Sequence, residues 1–461
     1  MANRKVIYYI QYALRLSVKS PVCVSGGVGD VTDCDVQRDF DGTPFIPGTS
    51  LAGALRGYLE ECMEEADADA IDKVFGDSRA AQGAMSSVKV SDLRFVEGDK
   101  GAKIITRDGI KLEQKLSVKG AKFDMEAIDT GAECECFLLL TIREASEKLD
   151  QEEKKELEDI VEQALAGLVW GEIRLGANKN RGFGELGVLK AKKKVFSREN
   201  IKEWLEFDRE GFLETDGNEL VLEAPQESRY LTIRVPLRQK GGISIRSYSV
   251  VQGEPDYAHI TSNGCPVIPG SSWNGAIRSR VGELLTQLKI DSAKSYLDEW
   301  FGYVKEEKGK KKEIRKRVAK QSNIVISESV IEGGVDLSMT RTKINRYDAS
   351  AVSGALYSER SHFDGKLVLE IKVRKNYYNQ KDERQTGEWK KDEIHLYKPI
   401  VGMLLIAIRD IQNGFLAVGG QTAVGRGIFE EDGPIELCGT KKDERYFISA
   451  IGALCAKEKS R

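Results

Sequence analysis

None of the eight cysteines stands in a Cys-x-x-Cys pair, so the spacing of zinc fingers and ribbons is missing. The closest two, Cys134 and Cys136, lie in an alternating stretch and read as ordinary thiols. Histidine is scarce as well, with three residues, and no Ser-His-Asp or Cys-His set recurs along the chain to support nucleophilic catalysis by side chains. Apolar runs such as 137–141 and 403–408 fall far short of the roughly 18 residues that a membrane span needs. The polar start runs straight into a strand-like pattern, which leaves no secretory signal and points to the cytoplasm. Nor is there an excess of one charge. With 70 Lys+Arg against 73 Asp+Glu the formal charge is −3, so nucleic-acid binding would need locally clustered basic residues.

What the 461 residues do contain is enough hydrophobic sequence, 41%, for two folded domains, and a long internal repeat. Residues 45–57, Phe-Ile-Pro-Gly-Thr-Ser-Leu-Ala-Gly-Ala-Leu-Arg-Gly, return at 267–279 as Val-Ile-Pro-Gly-Ser-Ser-Trp-Asn-Gly-Ala-Ile-Arg-Ser, an offset of 222. Phe75-Gly76 is echoed by Phe301-Gly302, and Ser91-Asp92 by Ser327-Glu328. Gly176, Gly182 and Gly184 share their spacing with Gly419, Gly425 and Gly427, now at an offset of 243. The second copy therefore holds about 21 extra residues, and the basic segment from Lys305 to Lys320, with nine Lys/Arg against three Glu, accounts for much of that excess.

Both copies have the same order of elements. Period-two alternation marks an opening strand at 6–18 and again from Leu231 to Leu237. A helix follows each Ile-Pro-Gly, then strands at 137–142 and 367–373, a second helix, a glycine loop and a closing strand. Strand-helix-strands-helix-strand is the ferredoxin-like, RRM-like plan of an α+β fold. Domains are expected at 1–195 and 229–461, with residues 196–228 as a charged linker and a short amphipathic helix near the C-terminus.

Two motif pairs suit a polyanion. A Pro-Gly turn before a helix exposes unpaired N–H groups and a partial positive charge. Ser50 or Thr49, and Ser271 or Ser272, suit its N-cap, and Arg56 and Arg278 lie two turns inside. A well-capped helix with no ligand is the plainer alternative. The glycine loops combine small residues with Asn178, Lys179, Asn180 and Arg181 around Gly182 and Gly184, and with Gln421, Thr422 and Arg426 around Gly425 and Gly427. Amide and guanidinium groups beside exposed backbone suit contacts to a nucleic-acid backbone. Because these glycines open a strand and not a helix, a dinucleotide fingerprint is disfavoured. Between first strand and first helix lie Asp30, Asp33, Asp35 and Asp39 in copy one, and Asp256 with His259 in copy two. Such aspartates are usually turn formers.

In this order the motifs resemble the RAMP superfamily of CRISPR-associated proteins, and more narrowly the repeating backbone subunit of type III effector complexes. Two units in one chain resemble the fused subunits of subtype III-D. The resemblance implies two tandem ferredoxin-like RAMP domains, each with a thumb hairpin. It implies guide RNA, target RNA and other type III effector subunits as partners, and no membrane. In that family the glycine-containing segments grip the guide backbone, the thumb kinks the guide–target duplex, and a loop aspartate cuts target RNA beside the kink. That aspartate stands six residues before the Asp of an Arg-Asp pair, here Arg38-Asp39, which selects Asp33 with Asp30 and Asp35 as rivals. In copy two Thr261 occupies the place of Asp39 and strict register lands on Pro255, with Asp256 one residue away. The stretch from Arg341 through Arg346 to Leu356-Tyr357 resembles the family's thumb, with a weaker echo around 105–123. Ile110, Leu112, Leu356 and Tyr357 are candidate wedges. The implied activity is a metal-dependent endoribonuclease, with Asp33 and Asp256 holding a hydrated Mg²⁺. The alternative is a non-catalytic RNA-binding scaffold of the same complex.

Overall fold

The computed structural model describes residues 5–27, 32–63, 68–77, 85–113, 116–144, 149–224, 228–248, 255–308, 315–375 and 397–459. The chain forms two compact units, Met1–Lys179 with Phe183–Glu227, and Asn180–Gly182 with Ser228–Arg461.

In the first unit the alternation read from the sequence becomes the strand Val6–Val18, which buries Ile10, Tyr12, Leu14, Leu16 and Val18 on one face. It is the centre of its sheet, antiparallel to Glu133–Arg143 on one side and Leu186–Phe196 on the other. Val88–Val90 pairs with the outer edge of Glu133–Arg143. In order of succession the core strands lie second, third, first, fourth, which is the ferredoxin-like arrangement. Helices Gly48–Cys62 and Leu149–Val169 supply Leu51, Leu55, Leu59, Val161, Leu165 and Leu168 to the same core. Each such side chain contributes roughly 1.5–3 kcal/mol by leaving water.

The second unit repeats this order with Ile324–Ile326, Lys366–Arg374, Tyr230–Gln239 and Phe429–Glu431. Gly270–Gln287 and Tyr397–Gln412 pack against its sheet, and Glu444–Lys459 is the expected C-terminal helix. Both units insert a long hairpin before the third core strand. In the first it is Ile104–Glu113 with Leu116–Ile128, in the second Val335–Ile344 with Ala351–Phe363. The basic segment of copy two forms a further hairpin, Tyr303–Lys308 with Arg315–Lys320. The side chains of 305–317 lie outside the described residues, as does its tip.

Residues 197–224, within the stretch expected to link the repeats, pack on the outer face of the first sheet. Trp204 stacks on Tyr9 with ring centroids 4.6 Å apart, while Phe212 and Leu213 cover Ala13. Lys192, fully buried, donates to the Thr215 carbonyl and sits 5.3 Å over the Phe212 ring. An RRM-like sheet face is thus covered in this unit, which leaves the loops and helix ends as its open surfaces. Among the described residues no helix is long and apolar enough to cross a membrane.

Candidate nucleic-acid interface

Each Ile-Pro-Gly leads directly into its helix. Pro47 and Pro269 stand at the N-cap positions and neither helix has a side-chain cap, so Ser50, Ser271 and Ser272 are first-turn residues and not the expected caps. The reason is the glycine. A Cβ on Gly48 would lie 2.5 Å from the Val90 carbonyl oxygen, and the Gly48 N–H donates to Asp92 Oδ1 at 2.9 Å. Close packing against the neighbouring strand, not a local serine, positions this helix end. One turn on, Gly53 and Gly275 are exposed, and a Cβ on either would meet nothing. Glycine inside a helix costs about 1 kcal/mol relative to alanine. Both units carry it where packing does not require it, beside exposed Thr49 and Ser271.

Arg56 and Arg278, expected at a phosphate, are occupied within the fold. Arg56 donates to the Gly76 carbonyl and to the carboxylates of Asp72 and Glu60. Arg278 donates to the Gly302 carbonyl at 3.0 Å and to Asp298 at 3.2 Å. These internal bonds explain why Phe-Gly accompanies the helix motif in both copies. Asp-x-x-Phe-Gly, at 72–76 and 298–302, is a receptor for this arginine, and its repetition was visible in the sequence.

The glycine loops are closed by their own backbones. A Cβ on Gly184 would stand 1.9 Å from the Leu175 oxygen, and one on Gly427 would stand 1.8 Å from the Val418 oxygen, both at positive φ. These two glycines therefore serve loop closure and not ligand approach. Gly425 differs, with open space at its Cβ position. Lys179 and Arg181 are exposed. Arg426 is 9% exposed and stacks 4.7 Å over the Phe363 ring, which withdraws it from the expected RNA contacts. Shared glycine spacing sets Arg426 opposite the buried Phe183, so burial at this position is common to both units.

The acidic loops are joined to the hairpins by the same device. The Asp33 N–H donates to Asp124 Oδ1, and the Asp124 N–H donates to Asp33 Oδ2, both at 3.1 Å. In the second unit the Asp256 N–H donates to Ser358 Oγ at 3.1 Å, while Asp256 Oδ2 accepts the Ser358 N–H at 2.7 Å and its hydroxyl at 3.1 Å. Asp33 and Asp256 are therefore counterparts, although strict register pointed to Pro255. The one-residue discrepancy has a cause. Arg38 bridges to Pro44 in the first unit, whereas Thr261 pairs with Pro266 across a turn one residue shorter. Thr261 thus matches Arg38 and not Asp39. Hydrogen bonds from Ser358, backbone first and hydroxyl second, hold the Asp256 carboxyl below the usual range.

The rivals of Asp33 are accounted for differently. Asp35 accepts the N–H and hydroxyl of Thr32 at 2.8 and 2.7 Å and so builds the loop. Asp30 lies outside the described residues. Arg38 makes a two-pronged pair with Glu126 of the hairpin at 2.8 and 2.9 Å. Behind Asp256, the fully buried Glu359 accepts from Gln421 of the glycine loop at 2.8 Å. Burial alone would raise its carboxyl, but polar neighbours including Gln421 and Arg246 hold it low. In both units the hairpin strand thus connects glycine loop and acidic loop.

The second hairpin projects exposed side chains. Leu356 is 69% exposed, Arg346 is exposed, Arg341 and Tyr357 are half-buried, and Tyr347 at the tip is 100% exposed. The sequence did not single out Tyr347, because a lone aromatic in a turn carries no periodic signal. The side chains of Ile110 and Leu112 lie outside the described residues.

Residues 15–186 and 250–430 match the model of the RAMP superfamily, most of the chain in two regions that coincide with the repeats. No curated protein matches the chain.

Proposed function

Because this chain belongs to the RAMP superfamily, CRISPR-associated RNA-binding proteins, we propose that it is a guide-binding backbone subunit of a type III effector, of the fused kind found in subtype III-D, and that Asp33 and Asp256 cut complementary target RNA. The observation that carries this reading is the matched anchoring of the two aspartates. Each is exposed at the foot of a projecting hairpin, with one carboxylate oxygen held by a hairpin N–H.

A hairpin wedged into a guide–target duplex forces one nucleotide out of the stack, at a cost of roughly a few kcal/mol. The displaced ribose can then bring its 2′-OH into line with the adjacent phosphorus, and orientation of this kind supplies much of the rate. Ser358 holds the Asp256 carboxyl below its ordinary range, and a carboxylate that gives up its proton so readily is a poor base at neutral pH, so Asp256 serves better as a charge than as a proton acceptor. Among the described residues no group of three or more His, Cys, Asp or Glu gathers to enclose a metal. One carboxylate oxygen fits a Mg²⁺ ion that keeps most of its water. Such an ion would acidify the attacking hydroxyl and neutralise the phosphate. Sequence choice comes from base pairing with the guide, while the protein contacts shape and backbone.

The test uses the reconstituted complex and a labelled RNA complementary to the guide. Asp33→Asn and Asp256→Asn should each remove one cut, and the double variant both, with guide binding retained. Cuts that persist in the double variant would leave the scaffold role and refute the catalytic one.

A further inference from the structure

Cys23 and Cys34 bring their Sγ atoms to 3.6 Å, eleven residues apart in sequence. Their surroundings join the parts of the first candidate site. The Cys23 carbonyl accepts the Ala177 N–H of the glycine loop at 2.8 Å. The Cys34 carbonyl accepts the Glu126 N–H of the hairpin at 3.0 Å. Cys34 also directly follows Asp33 in the chain. Both sulfurs face one small apolar cluster with Met125, Ala127 and Phe183. Cys23 is fully buried, whereas Cys34 is partly exposed.

We propose that Cys23 and Cys34 form a reversible disulfide on exposure to hydrogen peroxide, clamping the first acidic loop and leaving the second untouched. A disulfide holds its sulfurs about 2.05 Å apart, so closure needs a movement of about 1.5 Å, within reach of side-chain rotation and a small loop shift. The exposed sulfur reacts first. The Cys34 thiolate attacks the peroxide oxygen, the O–O bond breaks, and the departing hydroxide takes a proton to leave as water, giving Cys34 sulfenic acid. The Cys23 sulfur then attacks the Cys34 sulfur and the S–O bond breaks. The Cys23 proton leaves with the hydroxyl as a second water. Two thiols are oxidised by two electrons and one peroxide is reduced to two waters. Burial pushes the Cys23 thiol up to about 12, which makes it the resolving partner and not the first nucleophile. In a reducing cytosol such a bond is transient, as sensing disulfides are.

The second unit contains its own control. Ser244 takes the place of Cys23, its carbonyl accepting the Gly420 N–H of the other glycine loop at 2.8 Å. Tyr257, following Asp256, takes the place of Cys34. No sulfur pair exists there.

The full-length protein would be treated with hydrogen peroxide and mapped by mass spectrometry without reduction. A Cys23–Cys34 cross-linked peptide is expected, lost on adding dithiothreitol and absent from Cys23→Ser and Cys34→Ser variants. Amide exchange across 32–37 should slow on oxidation while that across 255–260 stays unchanged. Oxidation of the exposed Cys62 and Cys265 with no Cys23–Cys34 peptide would overturn the proposal, as would a cross-link that leaves exchange at 32–37 unaltered. The consequence for cleavage rests on the catalytic role of Asp33. In the assembled complex the cut assigned to Asp33 should fall about tenfold or more on oxidation, as small displacements at a reacting centre cause, and the Asp256 cut should not. If the reduced complex makes no cuts, the catalytic reading fails, while mass spectrometry and exchange still decide the disulfide.

Discussion

Replacing His259 with valine should abolish an acid sensitivity confined to the second unit. His259 sits three residues beyond Asp256 on the short strand Tyr257–His259, which pairs with the hairpin strand Ala351–Phe363. The first unit has Val36 there, as the matched bridges Ser25–Val36 and Arg246–His259 show. The His259 ring is 6% exposed, and its Nδ1 accepts the Ile245 N–H at 3.2 Å. A proton on Nδ1 would confront that N–H, so the folded ring is neutral. Burial, and then the nearby His362, pushes its pKa from 6.5 to about 4. His362 is itself paired with Asp336 at 2.8 Å, and Arg246 is the cross-strand neighbour of His259.

The sign follows from proton uptake. Below pH 6.5 the unfolded chain binds a proton that the folded unit refuses until about pH 4, so stability is full above that window and falls through it. The full loss is about 3 kcal/mol, from about 1.36 kcal/mol per pKa unit. Urea unfolding followed by tryptophan fluorescence reports on the second core through the buried Trp273 and Trp300. Between pH 7.5 and 4.5 the native protein should lose most of this increment relative to His259→Val, whose curve lacks it. Groups remote from His259 titrate alike in both proteins, so the difference reports His259 together with its electrostatic coupling to His362. Parallel pH profiles for the two proteins would refute the argument.

Arg278→Met should cost the second unit about 1–3 kcal/mol, since it removes the charged donor shared by the Gly302 carbonyl and Asp298. The salt dependence of RNA affinity should stay unchanged, and a slope reduced by about 0.7 would instead reveal a phosphate contact. Gly427→Ala should destabilise by more than about 3 kcal/mol in thermal unfolding, because its Cβ would stand 1.8 Å from a backbone oxygen at φ +70°. Leu356→Ser, at a position 69% exposed, should change stability by less than about 0.5 kcal/mol. The same variant should lose the unstacking signal of a 2-aminopurine placed at the kink of the target duplex.

Much of the fold was legible because it is written in short-range patterns. Alternation at 6–18 and 231–237 predicts strands, a Pro-Gly punctuates each helix start, and the duplicated landmarks order both units. These signals are local, since side-chain period and turn chemistry act over a few residues. The candidate site was legible as residue types, with acidic loop, glycine loop and hairpin all present in sequence. What each residue does there was not. Arg56 and Arg278 looked available until the chain folded Asp72, Gly76, Asp298 and Gly302 around them. Arg426 looked like a loop cation until Phe363 closed over it. Asp256 is recognised as the counterpart of Asp33 only through hydrogen bonds to a residue 102 positions away, because a turn one residue shorter had shifted the register. The amino-acid order by itself determined the duplication, the element sequence and the chemistry on offer. Tertiary packing alone decided which charges are consumed in holding the fold and which remain exposed, because burial and pairing depend on contacts between residues far apart along the chain.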